Sequence, residues 1–281
     1  MDSNHTQIQA ELDALIGRTA LVSDVVSSHR IAALAATLDT DAPADGSVPP
    51  LWHWVLFQDW QKWSTLGPDG HAARGEFMPA IAGMERRMWA GSAITFHRSL
   101  RVGEAVERRS SIAGATLKQG RTGTLAFIQL RHDIGPAGET AITELQDVVY
   151  RAADDPAVSA AVPEPVPPAA RTRSVMPDAL TLFRYSAVTG NSHRIHYDYE
   201  YVTGTEHYPG LVVQGALQAT WLADFARACR NDAPISQFAF RARRAVFQGK
   251  ALTLAAIDGP DGLDLTLRDS GGAVCMAGTA R

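Results

Sequence analysis

The sequence has few cysteines, and they are not arranged for disulfide or metal chemistry. Among its 281 residues only Cys229 and Cys275 are cysteines, with no CxxC pair and no histidine at the spacing of a zinc site. This usage is typical of a reducing compartment, where thiols stay free. We therefore expect a cytoplasmic protein without a metal site.

Long apolar runs and clusters of basic residues are also absent. No stretch approaches the length of a membrane-spanning helix, and the N-terminus lacks the basic and apolar regions of a secretory signal. The formal net charge is −4, and the Lys and Arg residues are scattered along the chain. We expect neither a membrane nor a nucleic acid as partner. With 46% hydrophobic residues the chain is long enough to bury a large core.

A spacer divides the chain. Residues Arg151–Thr172 contain five prolines and many alanines but no aromatic residue, which favours an extended, semi-rigid segment. The sequence thus predicts an N-terminal half over 1–150, a linker over 151–172 and a C-terminal half over 173–281.

The two halves repeat one pattern. Two segments each have the pattern of a hairpin, which is a strand, a turn and a second strand. They are Ser92–Ile112, with its turn at Gly103, and Phe238–Ile257, with its turn at Gly249. Further alternating strands follow each of them, and Gly215–Asn231 has the periodicity of a helix. The repeat predicts an α+β duplication built on antiparallel sheets.

The C-terminal half contains the segment TGNSHRIHYD, Thr189–Asp198. A short helix should end at Gly190, so His196 lies in a loop, where reactive side chains are commonly presented. Downstream, YPGLVVQGAL leads into the helix at Gly215, whose first backbone N–H groups can bind a developing oxyanion. The string SHRI recurs at Ser28–Ile31, but in a different register. That recurrence is a coincidence, with Ser28 available as a helix N-cap.

These strings resemble the hydratase-2 motif of the MaoC-like, (R)-specific enoyl-CoA hydratases, which have a hot-dog fold. PPLWHW and RRMWAG in the N-terminal half fit the same family. The resemblance is strongest to the branch with 3-methylfumaryl-CoA (mesaconyl-CoA) hydratase, itaconyl-CoA hydratase and mitochondrial-type 3-hydroxyacyl-thioester dehydratases. It implies an α+β double hot-dog, two antiparallel sheets each wrapped around a central helix, with a degenerate N-terminal half.

The resemblance also implies an activity, that of a hydro-lyase. It would hydrate a 2-enoyl thioester of CoA or acyl carrier protein reversibly and without a cofactor, and a short branched dicarboxylic acyl group is favoured, 3-methylfumaryl or itaconyl. The resemblance assigns His196 as general base, Asn191 as the residue that holds water, and Gly215 as oxyanion donor. The predicted substrate-binding residues are Arg184, His193, Arg194 and Gln214.

The sequence departs from the family pattern at the active loop. Asn191 stands where the family has a carboxylate, and Gln214 where it has a histidine. An amide cannot act as a general base, so both proton transfers are expected to fall to His196. Losing the carboxylate also removes an anion that would repel an acidic acyl group.

Other functions stay open at this point. A fatty-acid-type dehydratase, a hot-dog thioesterase and a non-catalytic acyl-CoA-binding module are the alternatives, and Asn191 argues against the thioesterase because that chemistry needs a carboxylate. A homodimer is a plausible further assembly. His97, His132 and His207 are assigned no role. Five tryptophans are predicted to line the core or an acyl pocket: Trp52, Trp54, Trp60, Trp63 and Trp89.

Overall fold

The computed structural model describes residues 3–71, 77–120, 123–152 and 162–281. The helices are α1 (Ser3–Asp13), α2 (Ser28–Thr37), α3 (Ala179–Thr189), α4 (Tyr199–Gly204) and α5 (Gly215–Cys229). The strands of the N-terminal half are β1 (Thr19–Val25), β2 (Arg86–Phe96), β3 (Ala105–Gly120), β4 (Gly123–Gly135) and β5 (Ile142–Arg151). Those of the C-terminal half are β6 (Arg171–Val175), β7 (Gln237–Ala242), β8 (Leu252–Gly259), β9 (Gly262–Arg268) and β10 (Val274–Ala280). Short 3₁₀ turns occupy Trp52–Val55, Trp63–Thr65 and Arg194–His196.

The strands repeat one topology. Across the described residues they form one ten-stranded sheet in the order β1-β3-β4-β5-β2-β7-β10-β9-β8-β6, and each pairing is antiparallel. Counted outward from the central β2–β7 pair, the N-terminal half has the order β2-β5-β4-β3-β1 and the C-terminal half has the order β7-β10-β9-β8-β6. In each half this is the second, fifth, fourth, third and first strand along the chain. The predicted antiparallel duplication is therefore confirmed, and the two sheets are joined edge to edge. Arg151 at one end of the predicted linker belongs to β5, and Arg171 and Thr172 at the other end belong to β6. The division of the chain stays a prediction, since 153–161 lie outside the described residues.

The predicted hairpins are wrong, although their turns are right. Gly103 and Gly249 lie in turns with φ of +92° and +79°. The strands on either side of each turn, however, do not pair. β2 bonds to β5 and β7, while β3 bonds to β1 and β4, and β7 and β8 are likewise separated. Alternating apolar residues identify a strand, but they do not identify the strand beside it.

The long helix predicted at Gly215 is present as α5 and lies in the core. It packs against β7, β8, β9 and β10, and Leu217 and Leu222 on it are fully buried. Each such side chain contributes about 1.5–3 kcal/mol relative to exposure. The described residues between β1 and β2 hold α2 and two 3₁₀ turns in place of a long helix. A second apolar cluster forms where α1 covers β3, with Leu12 and Leu15 against Ile112.

Two local expectations are corrected by the structure. α2 begins at Ser28, but its N-cap is Ser27, whose side chain accepts a hydrogen bond from the Arg30 N–H. Trp60 and Trp63 are 70% and 88% exposed, so they are not core residues. The other three tryptophans do pack inside, where the rings of Trp54 and Trp89 meet edge to face at 4.9 Å.

None of the described helices is long and apolar enough to cross a membrane.

The two halves meet where β2 pairs with β7, and a glycine allows the close approach. Gly91 faces Arg241 in this ladder, and Ser92 faces Phe240. A Cβ added at Gly91 would lie 2.2 Å from the backbone oxygen of Phe240. A side chain at this position would therefore push the two central strands apart.

We expect Gly91→Ala to destabilise the protein by about 1–3 kcal/mol, the usual cost of overpacking a close contact. Urea unfolding measures the change in free energy. Gly114→Ala is the matched control in another strand, because a Cβ there meets no atom within 4 Å. A loss no larger than that of the control would contradict the steric role of Gly91.

Candidate active site

The loop that follows α3, residues 191–198, is here called the active loop. As predicted, α3 ends at Gly190, which caps it in the left-handed conformation with φ of +66°. The helix begins at Ala179, with Asp178 accepting a hydrogen bond from the Thr181 N–H at its start. The Asn191 N–H donates to the Ser186 carbonyl at 2.9 Å, which fixes the direction in which the active loop leaves the helix.

His196 lies at the end of the 3₁₀ turn and is only 7% exposed. Its Nδ1 is 2.7 Å from the carbonyl oxygen of Val212. Because a carbonyl only accepts, Nδ1 carries the proton and Nε2 presents a lone pair. Burial lowers the pKa of His196 to about 4, against the opposing effect of the Val212 hydrogen bond. The imidazole is therefore neutral at pH 7, in the tautomer that a base requires.

Asn191 turns the active loop through its side chain. Its Oδ1 accepts a hydrogen bond from the His193 N–H at 3.1 Å, a local turn that asparagine commonly forms. Within the described residues the Nδ2 group has no partner. The side chain thus has a donor left for a small molecule, and no group that can remove a proton.

The first turn of α5 has open space beside it. Its N-cap is Gln214, and a Cβ added at Gly215 would meet no atom within 4 Å. The first N–H groups of a helix have no partner within the helix and lie at the positive end of its dipole. Val212, the residue that fixes His196, is two positions before this helix start. The geometry therefore leaves room for an anion beside Gly215.

Gln214 is anchored by one end of its amide. The side chain is 1% exposed, and its Nε2 donates to the Leu182 carbonyl and to Ser186 Oγ, both at 2.9 Å. Its Oε1 is buried without a hydrogen-bond partner among the described residues. That acceptor is the part of Gln214 still available for water or substrate.

The two arginines predicted to bind substrate differ in their surroundings. The guanidinium of Arg194 makes two hydrogen bonds to Asp198 Oδ2, at 3.0 and 2.8 Å, and lies 4.1 Å from the ring centroid of Tyr201. Those contacts hold the active loop in place and leave little of Arg194 for a ligand. Arg184 is half-buried on α3 and has no ion pair among the described residues. The substrate role of both arginines stays a prediction.

A loop from the N-terminal half, residues 67–71, is clamped onto the active loop. The Arg194 N–H donates to the Asp69 carbonyl at 2.9 Å, and Arg194 Nη1 donates to the Pro68 carbonyl at 2.9 Å. Ser192 Oγ donates to the Gly70 carbonyl. We call this segment the clamp loop. It brings Asp69 and His71 to the site, and neither was singled out from the sequence, because nothing in GPDGHA distinguishes them from an ordinary polar turn.

The clamp loop completes a row of imidazoles. The rings of His71 and His193 lie 4.0 Å apart between centroids, and those of His193 and His196 lie 5.4 Å apart. Burial, with the neighbouring charges of His71, lowers the pKa of His193 to about 2, so this ring is neutral. His71 Nδ1 is 3.0 Å from Asp69 Oδ2, and that hydrogen bond holds the pKa of Asp69 far below its ordinary value.

Three side chains of types that bind metal ions meet in this row. Asp69, His71 and His193 place one potential ligand atom each within 4.8 Å of one another, the one such group among the described residues. His71 already uses Nδ1 on Asp69 Oδ2, and the rings of His71 and His193 are tilted by 35° with their centroids 4.0 Å apart. This geometry favours a hydrogen-bonded stack.

A cleft of about 380 Å³ opens beside the clamp loop. His193 and Ile195 are the residues of the active loop that line it, whereas His196, Asn191 and Gly215 are not among its lining residues. Its opposite wall is formed by the start of β2. Arg86, Arg87 and Met88 of β2 line the cleft, together with Glu85, Arg151, Glu206 and Tyr208. The cations among them are the three arginines.

Comparisons with known proteins agree with this architecture. A family model described as hydroxyacyl-thioester dehydratase type 2 matches residues 51–248. A mesaconyl-C(4)-CoA hydratase from Chloroflexus aurantiacus is 42% identical, with 96% of this chain and 97% of that protein covered. The mitochondrial hydroxyacyl-thioester dehydratase type 2 of Schizosaccharomyces pombe is 23% identical, with 83% and 88% covered.

Solved structures confirm the predicted double hot-dog fold. A MaoC-like dehydratase from Phytophthora capsici has a TM-score of 0.73 at 14% identity, with 96% of both chains covered. A Mycobacterium tuberculosis protein described as having a double hotdog fold has a TM-score of 0.59 at 16% identity, with 96% of this chain and 97% of that chain covered. At these identities the likeness concerns the fold alone.

The neutral state of His196 predicts a loss of stability in acid. The unfolded chain takes up a proton on this imidazole below pH ~6.5, whereas the folded protein holds it neutral to about 4. The free energy of unfolding should therefore fall as the pH drops through this window, with about 2 kcal/mol due to His196 by pH ~5.

Urea unfolding at pH 7.5 and pH 5 tests this expectation. His196→Gln keeps a donor for Val212 but cannot take up the proton, so its stability should fall by less than that of the wild type over the same interval. Identical falls in both proteins would contradict the expectation.

Proposed function

Because the chain belongs to the hydroxyacyl-thioester dehydratase type 2 family, we propose that it is a hydro-lyase that adds water reversibly to a 2-enoyl-CoA thioester. The observation that carries the proposal is the state of His196, a buried neutral imidazole. Its Nδ1 is held by Val212 at 2.7 Å, and its Nε2 is free to take a proton. The hydroxyacyl thioester is the product of hydration and the substrate of the reverse reaction.

The proposed substrate is a short branched dicarboxylic acyl-CoA, with the 3-methylfumaryl (mesaconyl) group first and itaconyl second. The relative at 42% identity is named as a mesaconyl-C(4)-CoA hydratase. The cleft is lined by carboxylates as well as arginines, and the support for an acidic acyl group comes from an arginine that has no carboxylate partner. Arg86 Nη2 lies 3.6 Å from Glu206 Oε2, whereas Arg87 has no carboxylate partner among the described residues. Such a cation can pair with a carboxylate of the substrate.

The start of α5 supplies the electrostatic part of the mechanism. In the hydration direction the thioester oxygen occupies the open space beside Gly215 and accepts hydrogen bonds from the unpaired N–H groups there. This polarises the conjugated alkene and makes the β-carbon electrophilic. Donors fixed in advance stabilise the developing enolate without reorganisation.

The active loop supplies the water. Nε2 of His196 removes a proton from water as the oxygen bonds to the β-carbon. Asn191 Oδ1 is engaged with the His193 N–H, so the amide Nδ2 is the group that holds the water oxygen. The buried Oε1 of Gln214 is a further acceptor near the helix start.

A dehydratase acting on fatty-acid-type substrates carried by acyl carrier protein is the second candidate. The yeast relative favours it, since that protein is named as a mitochondrial hydroxyacyl-thioester dehydratase. Its 23% identity is lower, and the arginines of the cleft suit an acidic acyl group better. A cytoplasmic location and a homodimer stay predictions.

A substrate panel tests the proposed reaction. Crotonyl-, 3-methylfumaryl- and itaconyl-CoA are incubated with the protein, and enoyl absorbance and free thiol are followed together. We expect absorbance to fall without thiol release, fastest with 3-methylfumaryl-CoA. Thiol release would indicate a thioesterase, and binding without turnover would indicate a carrier module.

His196→Gln should lower kcat by about 10²–10⁴-fold, the usual contribution of a general base, while circular dichroism shows an intact fold. His29→Gln is the matched control, because His29 is the exposed histidine of the other SHRI string, on α2. Near-wild-type turnover by the His196 variant on each active substrate would refute this mechanism.

A further inference from the structure

The clamp loop carries a carboxylate and an imidazole to an active loop that lacks its own carboxylate. Three hydrogen bonds attach the clamp loop to Ser192 and Arg194. Contact at Gly70 is so close that an added Cβ would lie 2.2 Å from the Ser192 carbonyl oxygen. The position of Asp69 and His71 is thus fixed relative to the active loop.

Asp69 orients His71 at two points. Its Oδ1 accepts the backbone N–H of His71 at 3.0 Å, and its Oδ2 accepts a hydrogen bond from the ring Nδ1 at 3.0 Å. With Nδ1 bound to the carboxylate, Nε2 is the nitrogen that exchanges a proton. A carboxylate in this place also stabilises the imidazolium that forms during proton transfer.

His71 faces the same cleft as the active loop. Its side chain is 35% exposed, and it lines the cleft together with His193. His193 lies between it and His196, with ring centroids 4.0 Å from one and 5.4 Å from the other. The clamp loop and the active loop therefore each place an imidazole on this cleft, and the His193 ring lies between those of His71 and His196.

Resting on the proposed hydration, we propose that His71, oriented by Asp69, is the second proton-transfer residue and protonates the α-carbon. This differs from the sequence expectation that His196 makes both transfers. Water loses a proton to His196 Nε2 while its oxygen bonds to the β-carbon, and the alkene electron pair moves into the thioester enolate. The His71 imidazolium then gives its Nε2 proton to the α-carbon, forming the C–H bond.

The cycle closes when the proton on His196 returns to His71 through water. The sum is one water added across the double bond. Dehydration runs the same steps backwards, with His71 removing the α-proton. Neither direction needs a carboxylate in the active loop, which accounts for an asparagine at position 191.

Deuterium at the α-carbon tests this role. His71→Gln and Asp69→Asn are compared with wild type in dehydration of the 3-hydroxyacyl-CoA, unlabelled and α-deuterated. We expect kcat to fall about 10²–10⁴-fold for His71→Gln and less for Asp69→Asn. In both variants the isotope effect on kcat should rise, because breaking the α-C–H bond becomes more rate-limiting. His97→Gln, an exposed imidazole beside Thr143, should leave rate and isotope effect unchanged.

Several results would overturn the inference. Wild-type turnover in His71→Gln would do so while leaving the proposed function standing. A slower rate without a larger isotope effect in both folded variants would assign only a structural role to the pair. Activity lost to a chelator and restored by Zn²⁺ would assign the cluster to a metal. A wild-type protein inactive on the substrate panel would overturn the hydration itself and this inference with it.

Discussion

The antiparallel pairing of β2 with β7 holds the two halves in one sheet, and the geometry of the site depends on it. The clamp loop precedes β2 along the chain, and the first residues of β2 form a wall of the cleft. α5 precedes β7 and presents Gly215 at its start. One ladder of backbone hydrogen bonds therefore places groups from both halves around one cleft, and Gly91 permits it because any side chain there would meet the opposite backbone.

The two halves use buried polar groups for different purposes. In the N-terminal half Glu144 is 3% exposed and accepts hydrogen bonds from Ser92 Oγ at 2.6 Å and Trp54 Nε1 at 3.0 Å. Burial raises the pKa of Glu144, but the hydrogen bonds from His53 and Ser92 and the charges of His53 and His132 lower it to about 2. These hydrogen bonds stabilise one arrangement of the core, although His53 Nδ1 is buried without a partner among the described residues. In the C-terminal half His196 has one nitrogen satisfied and the other free, which is the state that chemistry needs.

Charge around the active loop is arranged to tolerate an acidic ligand. Asp198 is neutralised by Arg194, and the carboxylate of Asp69 is turned towards His71. Burial keeps His193 and His196 uncharged, so they neither attract nor repel an anion. Arg87, on the cleft and without a carboxylate partner among the described residues, is then a cation that can pair with an acidic ligand. A carboxylate at position 191 would oppose this balance, and asparagine keeps the turn of the loop without adding the charge.

The sequence alone determined the elements and the active loop, because periodicity, helix caps and a spaced motif are local properties. The end of α3 at Gly190, the start of α5 at Gly215 and the position of His196 in a loop could all be read from it. Strand partners could not, since a strand's apolar alternation is the same beside any neighbour, and the hairpin reading failed for that reason. Asp69 and His71 lie more than a hundred residues before the active loop in an unremarkable turn. Only the tertiary structure, by pairing β2 with β7 and closing the clamp loop on Ser192 and Arg194, decided that they belong to the site.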